Sequence, residues 1–345
     1  MSPTIEFAIE HGDITLFDAD VVALKYALKF HGADREVAFA LDQVGIALEE
    51  LCPTVGDYSY VETHGGIRAR HALFVGVPSL SQFGYREIRE FVVRVLNILS
   101  DVAPTTKHLA MTIHGPGYGL DEVEALLVQF EGYLQVIHGG GFALDLEYIT
   151  IVDKNHDRVQ RLRIALEKNL SNVGYASRVE SRWAYRLTTP QRSIHAGRDS
   201  TLYATDIEMA GVESELKPHV FVAMPFKKDM EDVFYYGIQG PAHAIGFLCE
   251  RVDQETFTGD ILDRVKKRIE TAAVVIAELS SANPNVYLEV GYAWGKGRPV
   301  ILLVRSVKEL CFDVRGQRCL TYELIKDLEK SLTKELNELK SKQLI

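Results

Sequence analysis

Short apolar runs alternate with stretches of helical spacing along most of this chain. In the N-terminal part the β-rich runs are Ile14 to Leu24, His71-Ala72-Leu73-Phe74-Val75-Gly76-Val77, His108-Leu109-Ala110-Met111-Thr112-Ile113 and Leu146-Glu147-Tyr148-Ile149-Thr150-Ile151-Val152. Between them, Ile88, Val92, Val95 and Leu96 fall at i, i+4, i+7 spacing, which predicts an amphipathic helix. Leu126, Leu127 and Phe130 do the same after Asp121-Glu122, an acidic pair that suits a helix N-terminus. Strand and helix in alternation predict an α/β fold.

The pattern weakens over residues 173–216, where Thr188-Thr189-Pro190-Gln191-Arg192-Ser193 reads as loop. This stretch is expected to be a connector with some short strands, able to pack on a neighbouring domain. Strong patterning returns at His219-Val220-Phe221-Val222-Ala223-Met224-Pro225-Phe226, a buried strand stopped by proline. A helix is expected from Asp232 to Ala244, and another with Ile261, Val265, Ile269 and Ala272 along one face. The strands Val274 to Ser280 and Pro299 to Val304 enclose a polar turn and a further helix. Ile325, Leu328, Leu332, Leu336 and Leu339 form a last helical stripe, read as packing on its own domain or as a self-association surface. The expected organisation is two α/β domains, 1–172 and 217–345, joined by the connector.

Composition narrows the function classes. A length of 345 residues fits two domains, and 47% hydrophobic with 25% charged residues describes a soluble globular chain. A net charge of −10 argues against bulk nucleic-acid binding, though not against a nucleotide held in a local pocket. No run approaches the roughly 20 apolar residues of a membrane helix, and no signal peptide is recognisable. Cys52, Cys249, Cys311 and Cys319 show no CxxC pairing and read as reduced thiols of a cytoplasmic protein, with no metal site expected.

The candidate chemistry lies in Asn283-Pro284-Asn285-Val286-Tyr287-Leu288-Glu289-Val290-Gly291-Tyr292-Ala293. In a parallel α/β sheet ligands sit outside the carboxyl ends of strands, where the following helices begin. Three segments converge there: Met224-Pro225-Phe226, Glu278-Leu279-Ser280, and the turn and helix from Asn285 to Tyr292. One carboxylate with backbone N–H groups, an asparagine and aromatics suits a nucleoside sugar. Breaking an N-glycosidic bond builds positive charge on that sugar, which a carboxylate can stabilise or attack. Such chemistry needs one glutamate and neither a triad, a metal nor a cofactor.

Across about 219–325 these segments resemble the TIR-like and nucleoside deoxyribosyltransferase-like domains of bacteria. The trailing Phe312-Asp313-Val314-Arg315-Gly316 also fits. The resemblance implies a flavodoxin-like fold, with Glu289 as the catalytic glutamate and Met224, Pro225, Phe226, Glu278, Asn285 and Tyr292 around the substrate. It implies either cleavage of the nicotinamide–ribose bond of NAD or transfer of a deoxyribosyl group. The family commonly carries aspartate where this chain has Glu278.

Gly12-Asp13-Ile14-Thr15 followed by Asp18-Ala19-Asp20-Val21-Val22 is similar to the opening of a macro domain. The span of about 1–170 also resembles the macro-like N-terminal domain of leucine aminopeptidases, notably Arg70-His71-Ala72-Leu73-Phe74-Val75-Gly76-Val77 and the helix from Arg86. Leu24-Lys25-Tyr26-Ala27 stands where a macro domain has an asparagine-rich stretch, and the aminopeptidase's metal-binding domain has no counterpart here. In the loop His114-Gly115-Pro116-Gly117-Tyr118-Gly119, glycines let backbone N–H groups approach a phosphate. His114, Gly115, Gly117 and Tyr118 are therefore the candidates for binding a signal.

Together these readings predict a cytoplasmic antiviral effector. Its macro-like three-layer α/β domain senses a nucleotide second messenger, a cyclic oligonucleotide or an ADP-ribose derivative. Its TIR-like domain then hydrolyses NAD, assembling into a homo-oligomer on activation. A deoxyribosyltransferase or nucleotide N-glycosidase, and a non-catalytic nucleotide-binding scaffold, are the alternatives.

Overall fold

The computed structural model describes residues 4–171, 174–188, 210–211, 213–252, 260–311, 314 and 316–345. The protein is mixed α/β with two sheets, and it divides into two compact units. The first unit takes Met1–Pro116 and Glu122–Glu215; the second takes Gly117–Asp121 and Leu216–Ile345.

The first unit is built on eight strands: β1 (Thr4–His11), β2 (Val21–Tyr26), β3 (Tyr58–Glu62), β4 (His71–Gly76), β5 (His108–Met111), β6 (Tyr148–Asp153), β7 (Ala176–Arg178) and β8 (Ala184–Thr188). They lie in the order β3-β4-β2-β5-β6-β1-β8-β7. The five strands from β4 to β1 are parallel, and β3, β8 and β7 add antiparallel edges. The helices are α1 (Gly32–Asp42), α2 (Tyr85–Val102), α3 (Glu122–Gly139) and α4 (His156–Leu170). Strand pleating sends alternate residues to opposite faces. Val22, Leu24, Ala72 and Phe74 pack with Val37, Ala38 and Leu41 of α1. Phe7 meets Phe130 and Tyr133 of α3 edge-on or tilted. Ile88, Val92, Val95 and Leu96 of α2, and Leu126, Leu127 and Phe130 of α3, are buried as their spacing requires. The apolar run from Ile14 splits into a one-turn helix (Ile14–Leu16) and β2, because Asp13 caps Thr15 through its carboxylate. Within the expected connector, β7 and β8 complete the first sheet, while residues 189–209 lie outside the described residues.

The second unit carries five parallel strands, β9 (His219–Ala223), β10 (Leu248–Glu250), β11 (Val274–Glu278), β12 (Val300–Val304) and β13 (Cys319–Thr321), in the order β10-β9-β11-β12-β13. On one face lie α6 (Asp260–Thr271) and α7 (Pro284–Gly295), against Phe221, Ala223, Val275 and Ala277. On the other lie α5 (Gly240–Ala244) and α8 (Ile325–Ser341), against Val220, Val222, Val274 and Ile276. Leu328, Leu332 and Leu336 of α8 are fully buried there, so the last apolar stripe packs on its own unit. The helix expected from Asp232 opens as a π-helix, Val233–Gln239, before α5. Pro241 has no N–H to offer the Gly237 carbonyl one turn back, which accounts for the wider turn preceding it.

Candidate active site

All five strands of the second sheet point their carboxyl ends to one edge, and α7 starts there. Asn283 caps α7 by accepting the N–H of Asn285, and Pro284 occupies the first turn, where a missing N–H is harmless. Four positions of α7 face inward: Val286, Glu289, Val290 and Ala293. Three are apolar and one is a carboxyl. Glu289 is 7% exposed, and burial pushes its pKa up to about 8. Long helical side chains lean toward the helix N-terminus, so the carboxyl reaches back toward the sheet's carboxyl edge.

Two further groups converge at that edge. Arg251, just past β10, lies over the rings of Phe226 (4.0 Å) and Phe234 (4.1 Å), with Nη1 3.6 Å from Met224 Sδ. Glu278, 1% exposed at the end of β11, accepts from the Ser280 N–H and hydroxyl and, at 3.0 Å, from the Tyr322 hydroxyl. Ser280 Oγ in turn accepts the Arg305 N–H. Burial, then the neighbouring Glu278 charge, pushes the Tyr322 pKa up to about 12. The ends of β11, β12 and β13 are thus tied into one polar knot beneath the edge.

The expected site residues therefore divide. Pro225 and Phe226 stand at the edge, with Phe226 half-buried against Arg251. Met224 is buried in the core on the α8 face, because strand alternation turns it away from α7. Glu278 shares that face, and its carboxylate is taken up by Ser280 and Tyr322 instead of reaching outward to a sugar. Asn285 is exposed, its N–H bound to the cap Asn283. Tyr292 sits two turns down α7, where its hydroxyl donates to Glu270 at 2.5 Å and Lys296 lies over its ring. Phe312, Asp313 and Arg315 lie outside the described residues. Arg251 and Tyr322 are the residues that sequence reasoning missed. Each follows a strand of only three residues, too short to register as a run.

The glycine-rich loop of the N-terminal part is also divided. His114 is 1% exposed; burial, then the nearby Lys25, holds its pKa well below the usual imidazole value. Its ring packs edge-on against Phe91 at 4.8 Å, so it is core and cannot meet a ligand in the loop. Gly115 adopts a left-handed φ of +119°. Gly117 and Tyr118 belong to the second unit, where Arg264 lies over the Tyr118 ring at 5.1 Å. Leu24-Lys25-Tyr26, where an asparagine-rich stretch was absent, are the last residues of β2 itself, and Lys25 pairs with Asp34 at 2.5 Å in the interior. Among the described residues, no cluster of acidic, histidine or cysteine side chains could hold a metal ion, and no helix is long and apolar enough to cross a membrane.

The chain matches no protein-family model and no curated protein sequence. Among solved structures it is similar to the Oceanobacillus iheyensis macrodomain with ADP (14% identity, TM-score 0.37, 48% of this chain and 92% of that one). It is also similar to the Trypanosoma brucei macrodomain in complex with ADP-ribose (16%, TM-score 0.37, 46% of this chain and 68% of that one). A third likeness is to the CMP N-glycosidase of Clostridium botulinum (20%, TM-score 0.29, 34% and 98%). The macrodomain likeness lies in the N-terminal half. At these scores and identities the likenesses assign the chain neither a family nor an activity.

Proposed function

We propose that the second unit cleaves an N-glycosidic bond with Glu289 as its acting carboxyl and NAD as its substrate. The reading extends to a cytoplasmic antiviral effector that assembles into a homo-oligomer when the first unit senses a nucleotide signal. The observation that carries it is the burial of an ionisable group at an inward position of α7, where packing alone would place an apolar side chain. A carboxyl held that far from its ordinary pKa is a functional-site signature. Phe226 offers a ring face, and Arg251 offers a guanidinium suited to a phosphate.

In this mechanism NAD binds with its ribose C1′ near Glu289. The positive pyridinium ring favours the ionised carboxylate, so a proton leaves Glu289 as substrate enters. The C1′–N bond breaks, nicotinamide departs neutral with the bonding pair, and Glu289 stabilises the positive ribose or bonds to it. Water then attacks C1′, releasing ADP-ribose and a proton.

One observation favours a second reading, a nucleoside or nucleotide N-glycosidase or deoxyribosyltransferase. With a pKa near 8, Glu289 carries a proton at neutral pH. An uncharged nucleoside needs its departing base protonated, and a protonated Glu289 supplies that acid.

The test is consumption of NAD, deoxynucleosides and CMP by purified protein, alone and with cyclic oligonucleotides or ADP-ribose derivatives, beside Glu289→Gln. Loss of NAD that disappears in the variant supports the leading reading. Turnover of nucleosides or CMP alone supports the second. A Glu289→Gln protein as active as the wild type sinks both and leaves a non-catalytic scaffold.

A further inference from the structure

The edge strand β10 of the second unit is held from outside its sheet. It pairs with β9 over three residues, and Leu248 donates its N–H to the Pro218 carbonyl on that side at 2.9 Å. Backbone N–H groups alternate in direction along a strand, so the Cys249 N–H points to the open edge. β10 ends the sheet, and the acceptor there is a side chain: Asp121 Oδ2, at 2.9 Å. The same oxygen lies 2.5 Å from His243 Nε2 of α5. Asp121 is 1% exposed, so its carboxylate is a buried pin between β10 and α5.

Asp121 closes a five-residue segment, Gly117–Asp121, that belongs to the second unit. The rest of the segment grips the same stretch of chain. Gly119 takes a left-handed φ of +98°, and a Cβ there would lie 2.3 Å from Val252 Cγ2 and 3.1 Å from Val252 Cα. Only glycine permits that approach. Tyr118 and Leu120 are buried, and Arg264 of α6 lies over the Tyr118 ring at 5.1 Å. The segment therefore holds Cys249 at one point and Val252 at another. Arg251 stands between the two, half-buried, with its guanidinium over Phe226 and Phe234 at 4.0 and 4.1 Å.

We propose that Gly117–Asp121 is the positioning element of Arg251, with Asp121 as its positioning residue. A three-residue strand paired on one side is a short anchor for a long side chain that must stand at a fixed place. Pinning Cys249 and Val252 from the open edge supplies the missing constraint, and the guanidinium is held where it covers Phe226. Asp121 touches neither substrate nor Glu289 in this account; it acts through β10 alone. The consequence for turnover rests on the glycosidase reading, in which Arg251 meets a substrate phosphate. The placement of Arg251 does not rest on it and would hold if Glu289 did no chemistry.

The experiment takes two readouts on the full chain. One is the rate at which phenylglyoxal, a guanidinium reagent, modifies Arg251, followed by mass spectrometry. The other is kcat and KM for NAD and CMP. The variants are Asp121→Ala, Asp121→Asn, Gly119→Ala, Arg251→Ala and Asp121→Ala combined with Arg251→Ala, with circular dichroism to verify folding. Asp121→Ala and Gly119→Ala should each speed modification of Arg251 several-fold and leave Arg305 at its wild-type rate. Asp121→Asn, which keeps an oxygen for the Cys249 N–H, should recover most of the wild-type behaviour. On the compound that is consumed, Asp121→Ala should raise KM about 10-fold, the scale of one lost bond to a charged group, with kcat unchanged. It should add nothing where Arg251 is already alanine. The proposal is overturned if Arg251 in folded Asp121→Ala and Gly119→Ala proteins reacts as in the wild type, or if Asp121→Ala raises KM by the same factor in the Arg251→Ala background. Faster modification of Arg251 with neither compound consumed supports the positioning and counts against the glycosidase reading alone.

Discussion

Glu289→Gln should make the protein more alkali-resistant. The unfolded chain holds this carboxyl at its ordinary pKa of 4.5, and the folded chain holds it at about 8. Below pH 4.5 both states are protonated and Glu289 contributes no pH dependence. Between the two values the unfolded state has released the proton that the folded state retains, so folding loses about 1.4 kcal/mol per pH unit. Above pH 8 the loss is complete. The gap of 8 minus 4.5, or 3.5 units, converts to roughly 5 kcal/mol. The side chain is 7% exposed, so solvent screening takes little from that figure. Glutamine has nearly the same shape and no charge at any pH. The assay is urea unfolding of both proteins at pH 5, 7 and 9, followed by Trp294 on the same helix, in a Trp183→Phe background. The stability difference should be below about 1 kcal/mol at pH 5 and grow in favour of Gln to several kcal/mol at pH 9, on the order of the value above. A difference that stays flat across this range would falsify the buried-carboxyl assignment.

Four other outcomes follow from the same geometry. For NAD, kcat/KM should rise with pH to a plateau above about 8, because the ionised Glu289 acts; for a neutral nucleoside it should fall above about 8, because the acid acts. Tyr322→Phe removes one donor from the buried Glu278 and should lower stability by about 1–3 kcal/mol, read as a lower Tm. Leu332→Ala should lower stability by about 2–5 kcal/mol by opening a cavity under α8. Gly76→Ala forces the 53–57 turn off β4, so a loss of at least about 1–3 kcal/mol is expected in thermal unfolding.

The α/β class and both helix-bearing faces were legible because apolar periodicity reports burial, and burial is what these segments share. Leu328, Leu332 and Leu336 show this best: a helical stripe on the page and a fully buried row in the fold. Glu289 was singled out for a different reason, as a carboxylate following an Asn-Pro-Asn turn after a buried strand; its burial in one row with Val286, Val290 and Ala293 is what the structure adds. The surroundings of the site were not. Whether Met224 faces a ligand or the core depends on strand parity relative to α7, which no local pattern states. Glu278 was misjudged because its partner Tyr322 lies in β13's exit, far along the chain. His114 looked like part of a polar loop, but its environment is set by Phe91, from a different element. Tertiary partners decide side-chain roles, and a single sequence names none of them.

The placement of α8 has a consequence for the order in which the chain is made. Val220 and Val222 of the first strand of the second sheet share one apolar layer with Leu328, Leu332 and Leu336. A chain growing on the ribosome therefore presents a sheet with one bare face until residues beyond 325 emerge. Contacts so distant in sequence close late and slowly. Helix α7, which docks on the opposite face against Phe221, Ala223, Val275 and Ala277, is synthesised before that face is covered, so the sheet it rests on stays bare on its far side until α8 arrives.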